Sequence, residues 1–564
     1  MGQGAEQYNM NQFQTALQSW EQALAIYQEI EDRGGEGAAF GNLALAYYGL
    51  GQYEKAIGFF EKHLEIAREI SDLQGEASAL NGLSRIHKNL GNYQQAIDFY
   101  QQQITLARNT EDRQEEVNAL GNLGIAYNEV GNYERAIESF EQSLTIARDI
   151  DDFQAQATVL GGLGVAHRKL ENYQQAIEFH EQALVIARGS NNQDEEFRNL
   201  ANLALAYNLA GEYQQAITFN EQALYLAREL GDASSEVIVL GNLGIVYRNL
   251  GQYEQAIELY EQQLTIARAN NNRQGERNAL GNLGFVYSQL EQYQQAIDVY
   301  LQQIPILQAL EDIQGESQAL TRLGNMHIIL GQYSEAIDTY KKLLANAFDN
   351  SDSRQEITTL NSLGEVYSEL GDYQQSLENY EQSLAIADDL DNSLRSTFIR
   401  AVPLFGIVQA NLGLQNYQEA ILLAERALPV FDEILLLVEN DQDLVGTIMS
   451  EQDVEFVKQA RDILEEYITI AQEIFAQADE GASLDGWNSH IPQYQHAAET
   501  QYQQTIDFYQ QRLVTIRQAG DRAQEASLLG NLGSTYRRLG RLQQAIDAYE
   551  QQLAITSDIE DVAG

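Results

Sequence analysis

The 564-residue chain reads as an all-α solenoid built from helical hairpins. Three observations predict this class. One unit returns every forty residues, each half of the unit carries an apolar stripe at helical spacing, and a glycine-containing break separates the halves. The unit is plainest at 121–150, GNLGIAYNEV GNYERAIESF EQSLTIARDI. Leu123, Gly124 and Tyr127 share a face of a first helix, Gly131 and Asn132 end it, and Tyr133, Ala136, Ile137, Phe140 and Leu144 form the stripe of a second. The copies begin at Gly41, Asn81, Gly121, Gly161, Ala201, Gly241, Gly281, Thr321 and Asn361. Such a unit can bury its apolar face only against its neighbours.

Taken in order, residues 1–33 hold a partial unit. Phe13, Ala16, Leu17, Trp20 and Leu24 match a second helix, with only a stub before them, and Trp20 fills a core position. Residues 34–438 form the main array of ten units. Polar caps such as Asp152 and Asp232 open its first helices, with acids in the first turn. The tenth unit is shifted: Leu404, Ile407, Ala410, Tyr417 and Ala420 arrive after a step of 44, Pro403 lies near its start, and its second helix runs on past Pro429. Residues 439–493 leave the pattern and form an irregular helical insertion. There Ser450 caps a long amphipathic helix through Val457, Ile463, Leu464, Tyr467, Ile470, Ala471 and Ile474, and Gly481–Pro492 is a loop. Repeat pattern resumes over 494–564, at Tyr502 and Gly530, and ends on an apolar face of Ala545, Tyr549 and Leu553 with no polar capping helix after it.

Composition removes several functional classes. A net charge of -49 opposes binding to nucleic acid or to an anionic membrane. The absence of cysteine excludes disulfides, thiolate metal sites and a cysteine nucleophile. No signal-peptide pattern opens the chain and no apolar run is long enough to span a bilayer, so a cytoplasmic location is expected. Neither GxxxxGK[ST] nor GxSxG occurs. His87, His167 and His327 replace the tyrosine of the first helix and belong to the core, while His63 and His180 lie on second helices with no paired ligand. His490 and His496 flank the irregular loop without acids at metal-ligand spacing. Asp441 and Asp443 with Gly446 begin a calcium-loop pattern, but Val445 and Gln452 fail it. No cofactor, metal site or catalytic residue is expected, and the protein is read as a non-enzyme.

The hairpin resembles the tetratricopeptide repeat (TPR). The match rests on Leu83, Ser84, His87, Tyr93, Ala96 and Tyr100 in one copy and on Leu243, Gly244, Tyr247, Tyr253, Ala256 and Tyr260 in another. The forty-residue period is longer than the usual one of about 34, with the extra length assigned to longer helices and to a loop such as 111–114. This form is similar to the repeats of LGN-type and kinesin light chain proteins, and to bacterial arrays, common in cyanobacteria, that precede caspase-like CHAT domains. The resemblance covers about residues 5–435 and 494–558. It implies a right-handed superhelix whose first helices line a concave wall.

Carried onto this chain, the family's inner offsets give 66 positions in eleven copies. Nine of the 34 basic residues fall there but only three of the 83 acidic ones. The basic ones are Arg85, Lys88, Arg168, Lys169, Arg198, Arg248, Arg322, Arg537 and Arg538; the acidic ones are Glu129, Glu365 and Glu369. A mildly cationic groove on an acidic body favours an acidic peptide. Asn42, Asn122, Asn202, Asn242, Asn282 and Asn531 form a ladder able to bond an extended peptide backbone, with Leu45, Ile125, Val165, Leu205, Ile245 and Phe285 as pocket candidates between rungs. The same asparagines and arginines could instead be solvated or bond neighbouring helices. Arg322, Ser362, Glu365 and Glu369 interrupt the ladder, which places the main groove in the repeats from 41 to 290.

These readings lead to a non-enzymatic scaffold that binds a protein or peptide segment in its concave groove, through Asn42, Arg85, Lys88, Asn122, Ile125, Arg168, Lys169, Arg198, Asn202, Asn242, Arg248, Asn282 and Phe285. Two alternatives stand beside it. One is the sensor or regulatory arm of a larger effector such as a CHAT protease. The other is a structural solenoid that self-associates end to end.

Overall fold

Aspartate or asparagine decides where each first helix begins. Asp152 accepts a hydrogen bond from the Ala155 N–H at 2.9 Å, and Asp32, Asp72, Asp112, Asn192, Asp232, Asn272 and Asp312 do the same for their own helices. Each cap satisfies an N–H that the helix itself leaves unpaired. Between the two helices of a hairpin the chain turns through the left-handed region, where glycine meets no Cβ penalty: φ is 77° at Gly131. Glu171 takes the same place in the next hairpin with φ 62°.

The computed structural model describes residues 1–390, 394–440 and 450–477, and individual residues between 506 and 555. The described residues are helices and turns, without strands. They fall into two compact units, Met1–Gln332 and Tyr333–Gly564.

In the first unit the short helix Gly2–Asn9 and the helix Phe13–Glu29 precede a run of hairpins. These are Arg33–Gly49 with Tyr53–Glu69, Leu73–Asn89 with Tyr93–Asn109, Arg113–Glu129 with Tyr133–Asp149, and Phe153–Lys169 with Tyr173–Gly189. Gln193–Leu209 with Tyr213–Leu230, Ala233–Asn249 with Tyr253–Ala269, Arg273–Gln289 with Tyr293–Ala309, and the single helix Ile313–Ile329 complete it. The extra length of the repeat sits in the helices, which reach 17 or 18 residues. The loop expected at 111–114 is therefore shorter than the sequence suggested. Glu111 turns at φ 56°, Asp112 caps, and Arg113 and Gln114 already belong to the helix because the cap bonds the Glu115 N–H at 3.0 Å.

Packing joins each hairpin to the next. Phe140 is buried between Gly124 of its own hairpin and Gly162 of the following one. A Cβ at either glycine would lie 2.6 or 2.5 Å from the ring, so a side chain added at either would force the ring to shift. Trp20 is buried, as its position predicts, and its indole N–H donates to the Met1 carbonyl at 3.3 Å. His87 and His167 stack on Phe99 and Phe179 with ring centres 5.5 and 5.2 Å apart. An ion-pair staple repeats on the helix ends: Arg108 reaches Glu116 at 2.7 Å and Gln142 at 3.2 Å, tying one second helix to both helices of the next hairpin. Arg68, Arg188, Arg228 and Arg268 hold Glu76, Glu196, Glu236 and Glu276 in the same way.

The second unit opens with the helix Tyr333–Asp349 and the hairpin Ser353–Glu369 with Tyr373–Asp388. Leu394–Gly413 and Tyr417–Asn440 follow, and they contain Pro403 and Pro429 within their spans. Glu451–Gln477 packs on them as a further layer: Val457 and Leu464 join Ala424 and Phe431 in one core. Ser450 caps this helix, its Oγ accepting from the Asp453 N–H at 3.2 Å while the Asp453 carboxylate accepts from the Ser450 N–H at 2.8 Å. Ile506, Leu513, Leu529, Leu532 and Tyr536 form a separate core further on, and Leu553 is exposed. The side chains of Ile470, Ala471 and Ile474, the 441–448 stretch, the Gly481–Pro492 loop, His490, His496, Tyr502, Gly530, Asn531, Arg537, Arg538 and Ala545 lie outside the described residues.

Candidate peptide-binding groove

The first helices make the inner layer of the first unit. Arg113–Glu129 touches Phe153–Lys169 as well as its own partner helix, and Arg33–Gly49 touches Leu73–Asn89 likewise. Side chains near the centre and C-terminal end of these helices meet those of the next first helix. Lys88 Nζ reaches Asn122 Oδ1 of the next hairpin at 3.4 Å, and Asn128 Nδ2 reaches the Gly162 carbonyl at 3.4 Å.

A cleft of about 1110 Å³ opens over three successive first helices, Ala233–Asn249, Arg273–Gln289 and Ile313–Ile329. It brings together Asn242, Arg248, Asn282 and Phe285 from the sequence-predicted set. It also takes in Arg322, beyond the expected limit of the groove at 290. The guanidiniums of Arg248 and Arg322 lie 5.1 and 5.9 Å from the centre of the Phe285 ring. Neither forms an ion pair among the described residues; Arg248 makes one polar contact, to Asn249 Oδ1 at 3.3 Å. Among the lining side chains Arg277 is the third cation and Asp312 the one acid, and those two pair with each other. The lining is therefore net positive in a chain of net charge -49.

Glycines in the inner layer let the outer layer reach this cleft. Gly241 and Gly281 leave room for Gln263 and Gln303 of the second helices, whose amide nitrogens would each lie 2.6 Å from an added Cβ. Gln303 donates to the Arg277 carbonyl at 3.0 Å, whereas Gln263 Oε1 has no partner. Behind Gly244 the Tyr260 hydroxyl is also buried without a partner, and burial pushes its pKa up to about 12. Sequence reasoning missed Gln263, Gln303 and Arg277. The glycines at 241 and 281 were its signal, because a small residue in the inner wall exposes whatever stands behind it.

The other predicted residues are distributed differently. Arg85 lines a second cleft of about 350 Å³ and stacks 4.5 Å from the Tyr48 ring. Glu115 shares that cleft, its pKa raised first by burial and then by nearby Asp112. Asn42 and Asn122 each spend their amide N–H on their own helix, donating to the Ala38 and Asn118 carbonyls at 2.8 and 3.0 Å. Asn202, Asn242 and Asn282 are half-buried, and their side-chain amides form no hydrogen bond among the described residues. Ile125, like Leu45, Val165, Leu205 and Ile245, is half-buried. Arg168 is half-buried with its Nε unpartnered, and burial lowers its pKa. Lys169 is exposed, and exposed Arg198 is held by Glu195 at 2.7 Å. In the second unit a cleft of about 830 Å³ carries Glu365 and Glu369, so it presents the opposite charge. Among the described residues no three His, Asp or Glu side chains gather at a spacing that holds a metal, and no helix is long and apolar enough to cross a membrane.

Sequence comparison bears directly on the hairpin geometry. The tetratricopeptide repeat model matches residues 5–69, 75–149, 155–229, 235–309 and 315–389, and a second tetratricopeptide repeat model matches 528–563. The chain belongs to the tetratricopeptide repeat family. Among curated proteins, none matches this TPR chain. Solved structures similar to it include BtubC (BKLC) from P. vanneervenii, at 20% identity over 39% of this chain and 92% of that one, with a TM-score of 0.35. A signal transduction ATPase with numerous domains (STAND) protein with a tetratricopeptide repeat sensor from Pyrococcus horikoshii matches at 19% identity, over 58% of this chain and 52% of that one, with a TM-score of 0.44. Repeats of a putative kinesin light chain from Podosopora anserina match at 22% identity over 34% of this chain and 95% of that one, with a TM-score of 0.32.

Proposed function

We propose that this TPR protein is a non-catalytic scaffold that holds an extended segment of a partner protein along the inner layer of its first unit, and that it favours acidic segments. The observation that carries this reading is the cleft over Gly241–Arg322, where Arg248 and Arg322 face Phe285 without a carboxylate partner. An arginine held on an aromatic face is positioned in advance, so little side-chain entropy remains to be lost when an anion arrives. The amides of Asn202, Asn242 and Asn282, unspent within the fold, suit the main chain of such a segment.

The test is selection of short peptides from a random displayed library on the full chain, followed by fluorescence anisotropy with the enriched sequences. Enrichment in Asp and Glu, with affinity falling as salt rises, is the expected result. Replacing Asn202, Asn242 and Asn282 together by alanine should weaken binding about tenfold or more, at about one hydrogen bond's worth per residue. Enrichment of basic or purely apolar sequences, or indifference to the triple replacement, would count against the proposal.

A further inference from the structure

Two of the polar residues at the register of Gln263 tie the second helix to a carbonyl of the first: Ser143 Oγ donates to the Val117 carbonyl at 2.9 Å, and Gln303 Nε2 to the Arg277 carbonyl at 3.0 Å, whereas His63 Nδ1 at the same register also has no partner. Gln263 is 3% exposed, yet its Oε1 is left without a donor. A buried acceptor without a partner is costly and rare in a folded chain. The Gln263 amide stands behind Gly241, with Nε2 nearest the glycine and Oε1 beside it, at 2.6 and 3.3 Å from where a Cβ would lie, and the residue lines the cleft together with Arg248 and Arg322.

We infer that this glycine window is a ligand subsite: an acidic peptide donates a main-chain N–H to Gln263 Oε1 while a neighbouring carboxylate settles against Arg248 and Arg322 beside Phe285. The inference rests on the peptide-binding reading above and adds the floor contact to it. The chemistry of the cleft selects the ligand class. Two cations without carboxylate partners ask for an anion, and the unpaired acceptor asks for a donor, which a simple carboxylate ion cannot supply at neutral pH. A peptide carries both groups a few bonds apart. The lone acid of the lining does not compete, because Asp312 is engaged by Arg277 and by the Gly315 N–H at 2.9 Å.

The experiment uses the full chain and a fluorescein-labelled peptide with a Glu-Glu-Glu core in a Gly-Ser frame. Its companions are the Gln-Gln-Gln version and a version methylated on the backbone nitrogen of the central glutamate. Gln263→Met, which keeps the bulk and removes the acceptor, should weaken the glutamate peptide about fivefold, the value of one hydrogen bond. It should leave the methylated peptide unchanged, so that the two losses do not add. Gly241→Ala should reproduce the loss with the amide still present, since its Cβ would lie 2.6 Å from Gln263 Nε2 and close the window. Arg248→Gln with Arg322→Gln should cost about tenfold against the glutamate peptide and little against the glutamine one. If Gln263→Met weakens both peptides equally, or neither, the floor contact is wrong. Should binding depend on Arg85 and Lys88 but not on Arg248, Arg322 or Gln263, the subsite falls while the groove reading stands. If the glutamate peptide does not bind, both fall.

Discussion

The Arg248 guanidinium lies 5.1 Å from the centre of the Phe285 ring, which belongs to the next hairpin. The contact fixes a cation at a repeat junction without neutralising it. Phe285→Leu should therefore weaken binding of an acidic peptide several-fold, because a cation–π contact contributes about 0.5–1 kcal/mol at such a site. Thermal stability should change little, since Phe285 is only half-buried. Anisotropy titration beside calorimetry separates the two effects.

The same chemical change should have opposite signs at two glycines. At Gly162 an added Cβ would lie 2.5 Å from Phe140 Cζ in a closed core, so Gly162→Ala should destabilise by about 1–3 kcal/mol. At Gly58, within the helix Tyr53–Glu69, a Cβ meets nothing within 4 Å. Gly58→Ala should stabilise by about 0.5–1 kcal/mol through helix propensity. Denaturant unfolding of both variants checks the pair, and equal signs would contradict the packing described.

The Arg108–Glu116 staple joins neighbouring hairpins at 2.7 Å, with Glu116 buried. Glu116→Gln should cost about 1–2 kcal/mol, because a charge-assisted hydrogen bond becomes a neutral one. The loss should be local, as contacts in an array run only between neighbours. Hydrogen exchange should quicken in Tyr93–Asn109 and Arg113–Glu129 and stay unchanged in Arg273–Gln289.

His180 supplies a pH signature. It is fully buried, and burial lowers its pKa from 6.5 to about 4, while its bond to Asn199 Oδ1 at 3.1 Å opposes the shift and Arg168 adds to it. The folded state thus holds the imidazole neutral, and the unfolded chain binds the extra proton between those two values. Stability should fall as pH drops from about 6.5 towards about 4, by on the order of 3 kcal/mol from this group. His180→Asn, which places there the residue found at position 220, removes this component. The wild-type minus variant stability should therefore decline over that window and be flat above it.

How much was legible follows from the range of each interaction. Leu123, Tyr127, Phe140 and Trp20 were readable as core because helical period and forty-residue register are properties of the sequence. Asp152 and Asp232 were readable as caps because a cap bonds residues two or three positions away. The 111–114 stretch was overestimated as loop because the turn before a capped helix needs few residues.

Sequence by itself thus determined the family, the hairpins and their junctions. Only the tertiary structure decided which of their side chains remain available. Asn42 and Asn122 are taken up by their own helices, Arg198 by Glu195, while Asn242, Asn282 and Arg248 open onto one cleft. It alone placed Gln263, from the outer layer, behind Gly241. The physical reason is that helices and caps close over a few residues, whereas a groove is made by side chains a repeat apart, whose rotamers answer to packing.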